Sequence, residues 1–306
     1  MIFKAFDLER LLSDWEQTVE FNFAESGVHP VPLRELLEFA DADLNEFLDI
    51  PLNYPEVNGD LKLRQRIQEL YNGAGLDNVI VTVGASEANY ILANTLLMKG
   101  DEVAVMRPTY MQFSGAASNL GAKVRTFSLN ENKAWALDIE ELQEAVTPNT
   151  KVIAVVNPNN PTGTMISEIE IEKLLNKIPE NILLVLDGAY AEYVNSFDGG
   201  ISLVNKFANL FVTRTFSKIF GLGGLRVGWG YGAKDITDVL NSVRSPFNVS
   251  SLGLKMAELS VEDVNFVNEQ RELNKVNREV LRNKLLDLGL KIDQSFANFL
   301  LLRFEI

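Results

Sequence analysis

The chain has no cysteine and only one histidine, His29, among its 306 residues. Without cysteine, disulfides and thiolate metal sites are excluded, and a single histidine excludes a multi-histidine metal site. No apolar run approaches the roughly 20 residues that a membrane-spanning helix needs. Residues 1–6 lack the basic start and apolar core of a signal peptide. We therefore expect a soluble, cytoplasmic protein without a metal ion or a membrane partner.

Positive charge is also scarce, because 28 lysines and arginines face 42 acidic residues and the net charge is −14. This acidity argues against nucleic acids and anionic membrane surfaces as partners. It does not restrict a small substrate, since the charge around a site can oppose the charge of the whole protein. The length is ample for one large domain and a smaller one.

Short apolar runs alternate with helical patterns from about residue 50 to residue 243. This alternation predicts an α/β fold with a doubly wound, mostly parallel sheet. A charged helical stretch follows at 250–288, and 299–304 has the pattern of a strand. We predict three segments, namely part of a small domain, a large cofactor-binding domain, and a long helix with the rest of the small domain: residues 1–48, 49–244 and 245–306.

Lys218 is the most informative residue, because it lies in a turn rich in glycine and hydroxyl groups. An apolar run at 209–212 leads into the turn, and Arg226 follows eight positions after the lysine. A lysine amine can form a Schiff base with a carbonyl cofactor, while hydroxyls, backbone amides and a guanidinium hold a phosphate. A lone lysine would more simply be a solvated loop residue. The surrounding turn favours pyridoxal phosphate instead, and its glycine spacing does not match a dinucleotide fingerprint.

Asp187 ends the apolar run 183–187, and Tyr190 follows three residues later. Ligands of open α/β sheets bind outside the carboxyl ends of the strands. A carboxylate there can keep a pyridine nitrogen protonated, and a phenol can hydrogen-bond the ring hydroxyl. The alternative for Asp187 is an ordinary helix cap or turn residue.

Three other predicted strands also end in candidate ligands. Asn160 lies in a turn dense in proline and asparagine, Ala85 and Ser86 begin a helix that could bind an anion, and Tyr110 could stack on a planar ring. Each has a structural alternative, respectively a tight turn, a helix cap and a core tyrosine. Their occurrence at successive strand ends favours one shared cofactor site.

In these residues the chain resembles the fold-type I pyridoxal phosphate aminotransferases of class I/II over nearly its whole length. The stretch from Thr215 to Gly228 is most similar to the histidinol-phosphate aminotransferase branch. The resemblance implies that Lys218 carries the cofactor as an aldimine and that Asp187 pairs with the pyridine nitrogen. It further implies that the ring and its phosphate are contacted by Tyr110, Asn160, Tyr190, Ala85, Ser86, Thr215, Ser217 and Arg226.

The resemblance also implies an activity and a partner. The reaction would move an amino group between an L-amino acid and a 2-oxo acid, with Lys218, Asp187 and Tyr190 as catalytic residues. Tyr54, in the run Tyr54-Pro-Glu-Val-Asn-Gly59, matches the tyrosine that reaches the phosphate of the neighbouring subunit. We therefore expect a homodimer with shared active sites.

The sequence departs from the family pattern in three places. Gly188 stands where glutamate is usual, and the segment Ser26-Gly27-Val28 is similar to one in capreomycidine synthase-like cyclases, which makes it a candidate substrate contact. The family's carboxylate-binding arginine has no counterpart, since Arg303 does not match it by position. We therefore expect the 306-residue form to bind the cofactor better than it turns over substrate.

Two alternatives to an aminotransferase stay open at the level of sequence. One is a pyridoxal phosphate-dependent decarboxylase or cyclase that acts on an amino acid. The other is a catalytically impaired cofactor-binding module. A regulator that binds DNA is disfavoured by the acidic composition.

Overall fold

Buried strands and amphipathic helices alternate through most of the chain in the computed structural model, which describes residues 5–16, 18–29, 32–39, 41–71, 73–195 and 197–304. The helices in chain order are α1 Asp7–Trp15, α2 Leu33–Phe39, α3 Leu44–Leu48, α4 Leu61–Glu69, α5 Gly84–Leu96, α6 Gln112–Asn119, α7 Ile139–Ala145, α8 Glu168–Leu175, α9 Ile201–Val204, α10 Lys234–Val243, α11 Ser251–Glu262 and α12 Val264–Asp287. The strands are β1 Val79–Thr82, β2 Glu102–Arg107, β3 Lys123–Asn130, β4 Ala136–Leu137, β5 Thr150–Val156, β6 Leu183–Asp187, β7 Leu210–Thr215, β8 Gly228–Gly232, β9 Lys291–Ile292 and β10 Leu302–Arg303.

One eight-stranded sheet in the order β1-β8-β7-β6-β5-β2-β3-β4 organises the fold. Strands β7, β6, β5, β2 and β3 pair in parallel, whereas β8 is antiparallel to both of its neighbours. The carboxyl ends of β5, β6 and β7 therefore meet at one edge, and so does the end of β1, which leads into α5. The predicted α/β fold is confirmed, and its strand ends converge as the sequence pattern required.

Apolar clusters cover both faces of this sheet, which explains why its central strands β5 and β6 are largely apolar. All five residues of β6 are buried, and one face carries the large side chains of Phe216 and Trp229. The other face packs against helices α5 and α6 through side chains such as Phe211 and Leu92. Full burial of each such side chain contributes about 1.5–3 kcal/mol. This core holds the strand ends in fixed positions relative to one another.

Side-chain caps fix the starts of two helices next to the sheet. The Ser167 hydroxyl accepts from the amide of Glu170, and the Glu170 carboxylate accepts from the amide of Ser167. Helix α8 therefore begins with a capping box. The Asp60 side chain likewise accepts from the amide of Leu63 at the start of α4.

The carboxyl-terminal part differs from the sequence prediction in two respects. The helical stretch predicted at 250–288 is divided into two helices, because Asp263 leaves helical geometry and its side chain accepts from the amide of Phe266. The strand predicted at 299–304 is reduced to Leu302–Arg303, which pairs with β9. The chain before it turns over the 157–163 loop, where the Phe296 amide donates to the Gly163 carbonyl at 2.6 Å. The division into domains stays a prediction.

Across the described ranges, the helices are too short or too polar to cross a lipid bilayer.

Candidate active site

A cavity of about 670 Å³ lies at the carboxyl edge of the sheet. Its floor, formed at the ends of β5, β6 and β7, brings together most of the predicted residues. Its roof is α1 and the segment 23–26. The predicted residues that line the cavity are Ser26, Ala85, Ser86, Tyr110, Asn160, Asp187, Tyr190, Thr215, Ser217, Lys218 and Arg226. Gly27, Val28 and Tyr54 are not part of this lining.

The amine of Lys218 is held inside the cavity by a residue of the roof. Its Nζ lies 3.0 Å from the Ser26 Oγ and 3.2 Å from the Ser26 carbonyl oxygen. It also lies 5.3 Å from the centre of the Tyr190 ring. Burial lowers the pKa of Lys218, and the nearby carboxylate of Glu25 opposes this effect. The amine therefore loses its charge more readily than that of an exposed lysine.

Asp187 lies at the end of β6 with its carboxylate buried. Its Oδ2 accepts from the Asn89 side chain at 2.7 Å, and its Oδ1 accepts from the Ala189 amide at 3.1 Å. Burial raises the pKa of Asp187, while these two hydrogen bonds act in the opposite direction. A buried carboxylate in this position gains most from a cationic partner, which is what a protonated pyridine nitrogen provides.

Tyr190 and Asn160 form a second polar pair on the floor. The Asn160 amide donates to the Tyr190 hydroxyl at 3.1 Å, and that hydroxyl donates to the Ser26 Oγ at 3.2 Å. Phe299 packs edge-on against the Tyr190 ring, with 5.2 Å between ring centres. Burial raises the pKa of Tyr190, so that the phenol stays protonated and can donate to an oxygen anion.

An anion cradle lies at the start of α5. Gly84 has a φ of +71°, and a Cβ there would lie 2.9 Å from Nη2 of Arg226. The Arg226 Nη1 donates to the Ser217 Oγ at 3.2 Å, and Thr215 donates to the same oxygen at 2.9 Å. Hydroxyls, a guanidinium and the free amides of a helix start are the donors that a phosphate requires. A glycine is needed at 84 for both its backbone conformation and this close approach.

Asn89 is a site residue that the sequence analysis missed. It is only 4% exposed, although it lies in the otherwise apolar run from Ala88 to Ala93 of α5. A polar side chain at a core position of an amphipathic helix usually has a specific partner, and here that partner is Asp187. This pattern was the available signal.

Glu9 of α1 also escaped prediction. Its carboxylate accepts from the Tyr110 hydroxyl at 2.6 Å and so links the roof to the end of β2. Burial raises the pKa of Tyr110, and the hydrogen bond to Glu9 adds to the effect. No local motif marks Glu9, because the contact joins positions about one hundred residues apart.

The departure at Gly188 has a packing reason. A Cβ at this position would lie 2.9 Å from Cδ of Arg214. Arg214 is buried and pairs with Glu192 at 2.7 Å, with its guanidinium 5.9 Å from the centre of the Trp229 ring. A side chain at 188 would therefore require the buried Arg214 side chain to shift.

Two further predicted or weighed residues lie away from the cavity. Tyr54 is 79% exposed and stacks on Phe247, with 4.8 Å between ring centres. Arg303 pairs with Glu131 at 2.8 Å and with Asp293 at 2.9 Å, outside the cavity lining.

Comparison with known sequences gives a consistent set of relatives. The model of the family described as "Aminotransferase class I and II" matches residues 49–304. Histidinol-phosphate aminotransferases of Ruegeria pomeroyi and a Jannaschia species are 41% and 42% identical to this chain, over 82% and 79% of its length. The matches cover 68% and 66% of those proteins, so the chain spans about two thirds of their length.

Solved structures give the same picture. A PLP-dependent aminotransferase from Streptococcus suis superposes with a TM-score of 0.85 at 25% identity, covering 92% of this chain and 77% of that one. A histidinol-phosphate aminotransferase from Sinorhizobium meliloti in complex with pyridoxal-5'-phosphate has a TM-score of 0.82 at 23% identity, covering 98% and 79%. The predicted fold and the predicted cofactor are thereby confirmed, and the chain belongs to the class I and II aminotransferases, which use pyridoxal phosphate.

Proposed function

We propose that this chain transfers an amino group between an L-amino acid and a 2-oxo acid, with Lys218 as the residue that carries the cofactor. The observation that supports this most directly is the shared cavity. One half-buried amine, one buried carboxylate and an anion cradle face the same space, from Lys218, Asp187 and Arg226 respectively. These are the three attachments that pyridoxal phosphate requires.

We propose that the phosphate is held by Ser86, Thr215, Ser217 and Arg226, the pyridine nitrogen by Asp187, and the ring oxygen by Asn160 and Tyr190. Tyr110 would cover one face of the ring. The cofactor supplies an electron sink for the charge left at the α-carbon when a proton is removed.

Lys218 is the proposed general base. A base must be neutral to accept a proton, and burial lowers the pKa of this amine toward that state. The amine and the carboxylate of Asp187 approach the cavity from different strands, so that proton transfer and charge stabilisation are assigned to separate groups. The relatives named for histidinol phosphate make that compound the first amino donor to test, beside a panel of L-amino acids.

Covalent labelling tests this function directly. Borohydride reduction of the protein with pyridoxal phosphate, followed by peptide mapping, should place the label on Lys218. The Lys218→Ala variant should lose it, and the control Lys206→Ala, which removes an exposed lysine paired with Glu172, should keep it. Label on a different lysine would overturn the assignment.

Mixing with amino donors then distinguishes transamination from the alternatives. An aminotransferase converts the bound cofactor to its amine form with one equivalent of 2-oxo acid product. A decarboxylase would release carbon dioxide, and a binding module would leave the absorbance unchanged.

We also propose a homodimer with shared active sites. Tyr54 stands among exposed apolar side chains, including Leu52 at 89% and Leu48 at 72% exposure, and such patches favour contact with a partner. A subunit-mixing experiment tests the sharing. If each site combines Lys218 of one subunit with Tyr54 of the other, mixing Lys218→Ala with Tyr54→Ala regenerates one intact site per mixed dimer. Unchanged activity after mixing would contradict shared sites.

A further inference from the structure

Ser26 belongs neither to the strand ends nor to the anion cradle, yet it contacts functional groups of the floor. The Lys218 amine donates to two oxygens of this one residue, Oγ at 3.0 Å and the carbonyl at 3.2 Å. The Tyr190 hydroxyl donates to the same Oγ at 3.2 Å. A residue of the roof therefore touches two functional groups of the floor.

The backbone at Ser26 is itself fixed from the opposite end of the chain. The Asn298 side-chain amide donates to the carbonyl of Ser26 at 2.9 Å and to that of Gly27 at 3.3 Å. Asn298 directly precedes Phe299, which packs on the Tyr190 ring. The backbone at Ser26 is thus held in place by the packed segment that contains Asn298 and Phe299.

A neutral lysine amine has two N–H groups and one lone pair. When both N–H groups are donated to Ser26, the lone pair has a single remaining direction, away from Ser26 and toward the cavity. A proton acceptor must present its lone pair to the reacting carbon within hydrogen-bond reach. We propose that Ser26 is a positioning residue that orients the free amine of Lys218 for proton transfer.

This inference rests on the proposed role of Lys218 as the base. It adds that the hydroxyl of Ser26 both directs the amine and favours its protonated form, because an ammonium donates more strongly than an amine. The other charged or titratable groups around the amine are Glu9 and Glu25 from the roof, and Asp187, Tyr190 and Arg226 from the floor. All of these stay in place when the serine is changed.

The test compares Ser26→Ala with Ser26→Thr, which retains a hydroxyl, and with Ser242→Ala as a control. Ser242 is exposed on α10, and its hydroxyl donates to the Asp238 carbonyl of the same helix. The protein without added cofactor is reductively methylated across a pH series. Peptide mapping then gives the extent of labelling at Lys218 separately from the other lysines. We expect the alanine variant to label at lower pH, about tenfold faster near neutrality, with the threonine and control variants close to the parent.

A kinetic measurement completes the test. Proton removal from an α-deuterated donor in a single turnover should be about tenfold slower in Ser26→Ala. The Michaelis constant for the donor should change little, and borohydride should still label Lys218. An unchanged labelling profile would overturn the inference. So would a raised Michaelis constant with unchanged proton transfer, which would make Ser26 a substrate contact. Loss of borohydride labelling in the parent protein would instead refute the function of Lys218.

Discussion

The floor and the roof of the cavity are built in opposite ways. The floor residues Asp187 and Thr215 are 9% and 5% exposed at the ends of buried parallel strands. In the roof, α1 has no buried residue, and Phe23 is 94% exposed. The groups of the floor thus stand on the rigid sheet, while the roof is attached by a few polar contacts such as that between Glu9 and Tyr110. We infer that substitutions in the floor affect chemistry and that those in the roof affect substrate binding, with Ser26 as the exception because it contacts the Lys218 amine.

The largest expected effect is that of Asp187→Asn on the floor. The amide keeps the shape but removes the charge that would pair with a pyridinium, and a charge-assisted hydrogen bond contributes about 1.5–3 kcal/mol. Proton removal should slow by roughly 10- to 150-fold from this loss alone. The measurement is exchange of an α-deuterium in a single turnover.

Asp138→Asn is the matched control, because Asp138 caps α7 away from the cavity and asparagine can still accept from the amides of Glu140 and Glu141. If Asp187→Asn exchanges deuterium at the parental rate, the carboxylate has no role in proton removal. The proposed difference between floor and roof would then be contradicted.

Arg226→Gln should come next. It removes the guanidinium of the anion cradle, and the affinity for pyridoxal phosphate should fall by about 10- to 100-fold. Equilibrium titration of the absorbance measures this. Arg303→Gln, which breaks surface ion pairs with Glu131 and Asp293, should bind the cofactor like the parent. Equal affinity in both variants would place the phosphate elsewhere.

Gly163→Ala tests the junction where the 157–163 turn of the floor meets the carboxyl-terminal segment. Gly163 has a φ of +70°, and a Cβ there would collide with the Ser295 side chain. Thermal unfolding should show a loss of about 1–3 kcal/mol. Adding Ser295→Gly removes the collision and should restore part of the loss, leaving the backbone strain. A fully stable Gly163→Ala would mean that the two segments are not in contact.

The smallest effect is expected for Glu9→Gln in the roof. The amide oxygen still accepts from Tyr110, but without charge, so the link weakens by about 1 kcal/mol. The substrate constant should rise about fivefold or less, with cofactor affinity and the rate of proton removal unchanged. A large fall in cofactor affinity would show that α1 contributes to cofactor binding, as the floor residues are proposed to do.

The same contrast explains what could be predicted from the sequence. The residues at the ends of β5, β6 and β7 follow apolar runs directly, and parallel strands bring their ends together. The sequence therefore predicts that Asp187, Asn160 and Lys218 lie near one another, and they line the same cavity. The Asp187–Asn89 and Glu9–Tyr110 contacts could not be found in this way, since each joins distant segments through side chains alone. The break at Asp263 was missed because a side-chain cap competed successfully with a continuous helical pattern.

Helix α12 has a consequence of its own. It has no buried residue in 24, yet one face holds neighbouring segments through side chains that donate to backbone carbonyls. Arg271 donates to Glu192, and Asn274 and Arg278 donate to Ala297. Detaching α12 from these carbonyls would break polar bonds and expose little apolar surface of the helix itself, since none of its residues is buried. Such a release carries a small heat-capacity change, so it can occur as a local opening whose probability varies gently with temperature, well below the melting of the sheet.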